Sequence, residues 1–116
     1  MGKGDSLPGM KLQLQHRAIR VRLDRAEFDT LIRGLASRLD LMHAGEALLE
    51  FEVAVGPDLG MSRHDRGWRL QLPLAELEAY APTLPRRDGL HFDLGDGLCV
   101  DLEVDLRRKK VSDTFL

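Results

Sequence analysis

The sequence predicts an α+β domain: an antiparallel sheet in the order ββαβββαββ with two helices packed on one face. Three observations predict it. Residues 11–28, KLQLQHRAIRVRLDRAEF, alternate apolar and polar side chains around a turn and then change to helical spacing. Residues 90–106, LHFDLGDGLCVDLEVDL, alternate in the same way around Gly95-Asp96-Gly97. Between them, clusters of Gly, Pro, Asp and Ser divide the chain into short apolar segments.

The first hairpin registers itself by parity. Pairing Leu14 with Ile19 and Leu12 with Val21 collects the apolar side chains on one face and leaves His16-Arg17 as a two-residue turn. The same register sets Lys11 opposite Arg22 and Gln13 opposite Arg20, a repulsive arrangement unless an anion stands nearby. A helix follows over DRAEFDTLIRGLAS. Asp24 is a good N-cap, Glu27 completes a capping box, and Phe28, Leu31, Ile32 and Leu35 form the apolar stripe.

RLDLMH is a short strand, Ala44-Gly45-Glu46 a turn and ALLEFEVAV the next strand, with Leu49, Phe51, Val53 and Val55 inward and Glu50 and Glu52 outward. GPDLGMSRHDRG is expected to be a long loop. In the strand WRLQLP, Trp68, Leu70 and Leu72 point inward and Arg69 and Gln71 outward. LAELEAYA after Pro73 is a second helix, closed by Pro82. In the last hairpin, parity favours a three-residue loop that pairs Leu94 with Leu98 and Phe92 with Val100. His91 then faces Asp101, and Asp93 faces Cys99. Repetition is loose: each half contains a strand pair and a helix.

With 116 residues, 43% of them apolar, the chain is long enough for one core without covalent staples, and its single cysteine rules out an internal disulfide framework. A reducing, cytoplasmic setting is the expectation. No apolar run approaches the roughly 18 residues that span a bilayer. Residues 1–9 are expected to be a disordered leader ahead of Met10, residues 10–107 the domain and residues 108–116 a basic tail. Gly2 and Ser6 formally fit a myristoylation pattern, a short pattern common by chance.

Net charge is −2 but unevenly placed. Residues 1–38 carry eight Lys/Arg against four acids, and residues 39–106 carry five against fourteen. Basic and acidic strands meeting in one sheet would account for this. The opening hairpin is therefore expected beside Glu50/Glu52 or Asp101/Glu103/Asp105.

KLQLQHRAIRVRLDRAEF resembles the opening of a family of small bacterial proteins of unknown function. Its members begin with a short basic strand, a turn, an Ile-Arg-x-Arg-Leu strand and a helix bearing an early Glu. Lys11, Leu12, Leu14, Ile19, Arg20, Arg22, Leu23 and Glu27 carry the resemblance, together with LCVDLEVDL and Asp113 to Phe115 at the end of the chain. The chain departs from the family at His16-Arg17, where the turn is Gly/Asn-like, and in its shorter tail. The resemblance implies the fold and a cytoplasmic bacterial setting; it supplies no catalytic residue.

Two side-chain groups are candidate sites. Lys11, Arg20, Arg22 and Arg69 with Glu50 and Glu52 form a charged set suited to binding a protein or a small anion. The same acids and arginines could also serve a metal-assisted phosphate-handling enzyme. His91, Asp93, Cys99 and Asp101 are the candidate metal set, although the acids around Cys99 disfavour an activated thiolate. Nucleic-acid binding is disfavoured by the negative net charge and by Trp and Tyr on the core side. The sequence thus points to a small non-enzymatic binding or interaction module acting through a charged sheet face, with no cofactor and no membrane partner.

Overall fold

The computed structural model describes residues 10–105 except Arg66. The expected leader at 1–9 and tail at 108–116 lie outside the described residues. Eight strands and two helices follow in the order β1 (Lys11–Gln15), β2 (Ala18–Leu23), α1 (Arg25–Ile32), β3 (Ser37–His43), β4 (Glu46–Gly56), β5 (Gly60–His64), β6 (Gly67–Pro73), α2 (Leu74–Tyr80), β7 (Leu90–Gly95) and β8 (Leu98–Val104). A 3-10 turn, Ala81–Thr83, extends α2. The fold is α+β, but there are two four-stranded mixed sheets, β1-β2-β8-β7 and β3-β4-β6-β5, in place of one antiparallel sheet. Parity registers a hairpin; it does not say which hairpins become neighbours.

The register of the first hairpin is as read from the sequence, Lys11↔Arg22 to Gln15↔Ala18. Neither His16 nor Arg17 has a positive φ, so this turn needs neither Gly nor Asn. The turns Ala44-Gly45 and Asp96-Gly97 do use positive φ at both positions, as two-residue primed turns require. In the last hairpin His91↔Asp101, Phe92↔Val100 and Asp93↔Cys99 are paired as expected, but Leu94 is not opposite Leu98. Gly95 pairs with Leu98 instead, and Leu94 is the extra residue of a bulge. The bulge reconciles a two-residue turn with the alternation of both strands.

Asp24 caps α1 by accepting from Glu27 N–H at 2.7 Å, while Glu27 accepts from Asp24 N–H at 2.9 Å. The helix is shorter than its sequence pattern. Gly34, at φ +99°, terminates it, with Leu35 N–H donating to Thr30 O and Gly34 N–H to Leu31 O, a Schellman arrangement. Leu35 therefore falls beyond the helix and is 61% exposed, not part of the core stripe. The segment expected to be one long loop contains β5, paired antiparallel with β6. Trp68, expected inside, is 38% exposed near the start of β6, where the Arg63 guanidinium lies 5.5 Å from its ring centre.

The chain is built from two ββαββ units, β1–β4 with α1 and β5–β8 with α2. At constant offset they match buried residue to buried residue: Val21 with Leu70, Leu23 with Leu72, Phe28 with Leu77, Leu31 with Tyr80, Phe51 with Val100 and Val53 with Leu102. Each helix carries the chain from one sheet to the other, so every sheet joins the first hairpin of one unit to the second hairpin of the other. The two are stitched by parallel pairs, β2 with β8 and β4 with β6. Both sheets and both helices enter one apolar core, across which Phe28 meets Tyr80 edge-on at 6.0 Å. Among the described residues no polar or charged side chain is buried in it.

Candidate functional site

Alternation along β1 and β2 turns Lys11, Gln13, Arg20 and Arg22 away from the buried Ile19, Val21 and Leu23. The parallel neighbour β8 then places Asp101 beside Arg20 and Glu103 beside Arg22. The basic hairpin thus lies against an acidic strand, and of the acids named from sequence it is the Asp101/Glu103 strand, not Glu50/Glu52.

The pairing is incomplete. Arg22 Nη2 donates to Glu103 Oε1 at 3.0 Å, with Nε at 3.4 Å from the same oxygen. Arg20 Nη2 reaches Glu103 Oε2 at 3.8 Å. Asp101 is engaged by His91, whose Nδ1 stands 2.7 Å from its Oδ1. One carboxylate therefore serves two guanidiniums, and among the described residues Lys11 has no acidic partner within ion-pairing distance. Lys11, Gln13, Arg20, Arg22 and Glu103 border a shallow depression of about 180 Å³ on this face. Both arginine side chains are 49% exposed, so their charges are open to solvent and to a ligand.

The other predicted members of this set are on the second sheet. Arg69 Nη1 is 3.6 Å from Glu52, and Arg38 joins Asp40 at 3.0 Å and Glu50 at 3.1 Å. The hydrogen bond that Arg38 donates to Asp40, chiefly, raises the Arg38 pKa above its ordinary value. Lys11, Arg20 and Arg22 thus stand on a different sheet from Arg69, Glu50 and Glu52, and no ion pair joins the two groups among the described residues.

The metal set is gathered in one hairpin but does not converge. His91 and Asp101 pair with each other, whereas Asp93 Oδ1 accepts from Gly95 N–H at 2.8 Å and holds the turn. Cys99 is half-buried and its backbone N–H donates to Arg17 O, tying the first turn of the chain to the last hairpin. Among the described residues no group of three or more His, Cys, Asp or Glu side chains is placed to hold a metal ion.

The internal duplication separates what the fold requires from what it leaves free. Arg20 beside Asp101 recurs as Arg69 beside Glu52, and the residue across the hairpin from the acid is His91 in one case and Arg38 in the other. Lys11, Arg22 and Glu103 have no such counterparts: Gly60, Gln71 and Ala54 stand in their places. Sequence reading missed this distinction because the repeat was visible only loosely. The signal was present in Arg-Val/Leu-x-Leu spacing and Ala-Glu pairs, RVRLDRAEF against RLQLPLAEL.

No protein-family model, no curated protein and no solved structure matches the chain. Among the described residues no helix is long and apolar enough to cross a membrane.

Proposed function

We propose that the protein is a small non-enzymatic binding module that takes an anionic group of its partner on the β1–β2 face of the first sheet. The observation that carries this reading is the mismatch between the two units. Lys11 and Arg22, directly opposed like charges, are absent from the corresponding positions of the second unit, so the architecture does not need them. A like-charge pair retained at a cost to stability is accounted for when an anion is what it meets. Glu103 holds the guanidiniums in place while leaving the depression cationic by three charges to one.

Titrating the protein with inorganic polyphosphate and with polyglutamate at low salt, followed by calorimetry, tests the reading. The parent should bind at least one of them, and the joint Lys11→Gln, Arg22→Gln variant should bind at least tenfold more weakly with its fold intact. Absence of binding by the parent, or equal binding by the variant, contradicts it.

A further inference from the structure

We infer that β1 is a docking edge for an extended strand of a partner protein, one that alternates apolar and acidic side chains. The inference rests on the basic-face reading above and names the partner of that face. Among the described residues β1 is the outermost strand of the first sheet, paired on one side only. Gln15 and Ala18 flank a two-residue turn and so form a hydrogen-bonded pair, as do Gln13 with Arg20 and Lys11 with Arg22. By the same alternation, the backbone N–H and C=O groups of Leu12 and Leu14 are directed at the open edge.

Side chains along this edge are equally available. Leu14 is 56% exposed and Leu12 half-buried on the core-side face. On the other face Lys11, Gln13 and Gln15 are exposed and have no side-chain hydrogen bond or ion pair among the described residues. The other edge strands are β3, β5 and β7; on two of them side chains are engaged within the protein, Arg38 with Asp40 on β3 and, on β7, His91 with Asp101 and Asp93 with the Gly95 N–H, whereas the outward side chains of β1 are not. A strand added to β1 would set every second residue beside Leu12 and Leu14, and the intervening ones beside Lys11 and Gln13, next to Arg20 and Arg22. Charge complementarity makes those intervening residues acidic. Backbone pairing would supply the affinity, and the basic face would select against neutral or basic strands.

The test uses the full chain and a blocked hexapeptide alternating Glu and Val, with calorimetry and amide NMR shifts. The parent should bind it. Leu14→Pro, which removes a donor facing the edge and none that bonds to β2, should weaken binding at least tenfold while leaving polyphosphate binding intact. A second arm needs no protein variant: N-methylation of one alternate set of peptide amides should abolish binding, and methylation of the other set should spare it. Equal binding of both methylated peptides, or of the parent and a folded Leu14→Pro protein, overturns the edge while leaving the basic face standing. Failure of the parent to bind the hexapeptide overturns the edge, and failure to bind polyphosphate and polyglutamate as well overturns both readings. Self-association of the parent that Leu14→Pro abolishes would make a second copy the occupant and overturn the acidic partner.

Discussion

Arg20 and Arg69 hold the same position in the two halves of the chain, each beside an acid on a parallel neighbouring strand, Asp101 and Glu52 respectively. Each is about half exposed. Exposed pairs of this kind are worth roughly 0–1 kcal/mol. Arg20→Gln and Arg69→Gln should therefore each cost less than about 1 kcal/mol, to a similar degree, with the loss muted by high salt. Urea midpoints at low and high salt would check this; a cost several times larger at one site would break the equivalence.

Two glycines at strand starts should respond oppositely to alanine. A Cβ at Gly67 would overlap the Glu50 carbonyl oxygen where β4 and β6 run parallel, whereas one at Gly60 meets nothing. Gly67→Ala should cost about 1–3 kcal/mol by overpacking. Gly60→Ala should be neutral or stabilise by roughly 0.4–1 kcal/mol through the unfolded chain. Thermal melts of the two variants decide; similar losses would mean that the parallel pairing is drawn wrongly.

The last hairpin offers a test of face assignment. Phe92 is 5% exposed in the core, while its neighbour His91 has a side chain 62% exposed. Phe92→Ala should cost about 3–5 kcal/mol and His91→Ala under about 1 kcal/mol in chemical denaturation. A reversed order would move the hairpin by one residue.

Burial, the larger influence, raises the Glu27 carboxyl pKa above its ordinary value of 4.5, against the lowering effect of the Asp24 N–H. A carboxyl whose folded pKa is raised contributes stability below the unfolded value, and this is lost as pH rises through the folded one. Glu27→Gln keeps an acceptor for the capping box and removes the ionisation. Relative to the parent, the variant should gain stability as pH rises from about 4 to 7, across that titration. Urea midpoints across the range would show it, and a pH-independent difference would contradict the sign.

Much of this fold was legible because local rules dominate hairpins and caps. The parity of KLQLQ and AIRVRL leaves one workable register, and Asp24 with Glu27 announces α1. β5 was not legible. Met61 is its one large apolar residue, and Gly60 and Asp65 flank it as in a loop; it is a strand because β6 has a free edge. Strand order was hidden for a related reason: β2 and β8 pair from opposite ends of the chain, and nothing in either segment names the other. Trp68 obeyed parity and still emerged half-exposed, since alternation gives a face but not how far the core extends along it. As for the site, the cations were found and their acidic partner strand narrowed to two, Glu50/Glu52 or Asp101/Glu103/Asp105, but their grouping with Glu50, Glu52 and Arg69 depended on a single sheet.

The account turns on Lys11, whose charge opposes Arg22 across the hairpin and has no described acidic partner. Replacing it with Glu converts a repulsive cross-strand pair into an attractive one, worth roughly 0.2–1 kcal/mol in such positions. If the cation is there for a ligand, stability and binding must move in opposite directions. The direct measurement is the melting temperature and polyphosphate affinity of Lys11→Glu at low salt. The account predicts a protein that melts higher than the parent and binds at least tenfold more weakly; a variant that melts higher and binds as well as the parent would contradict it.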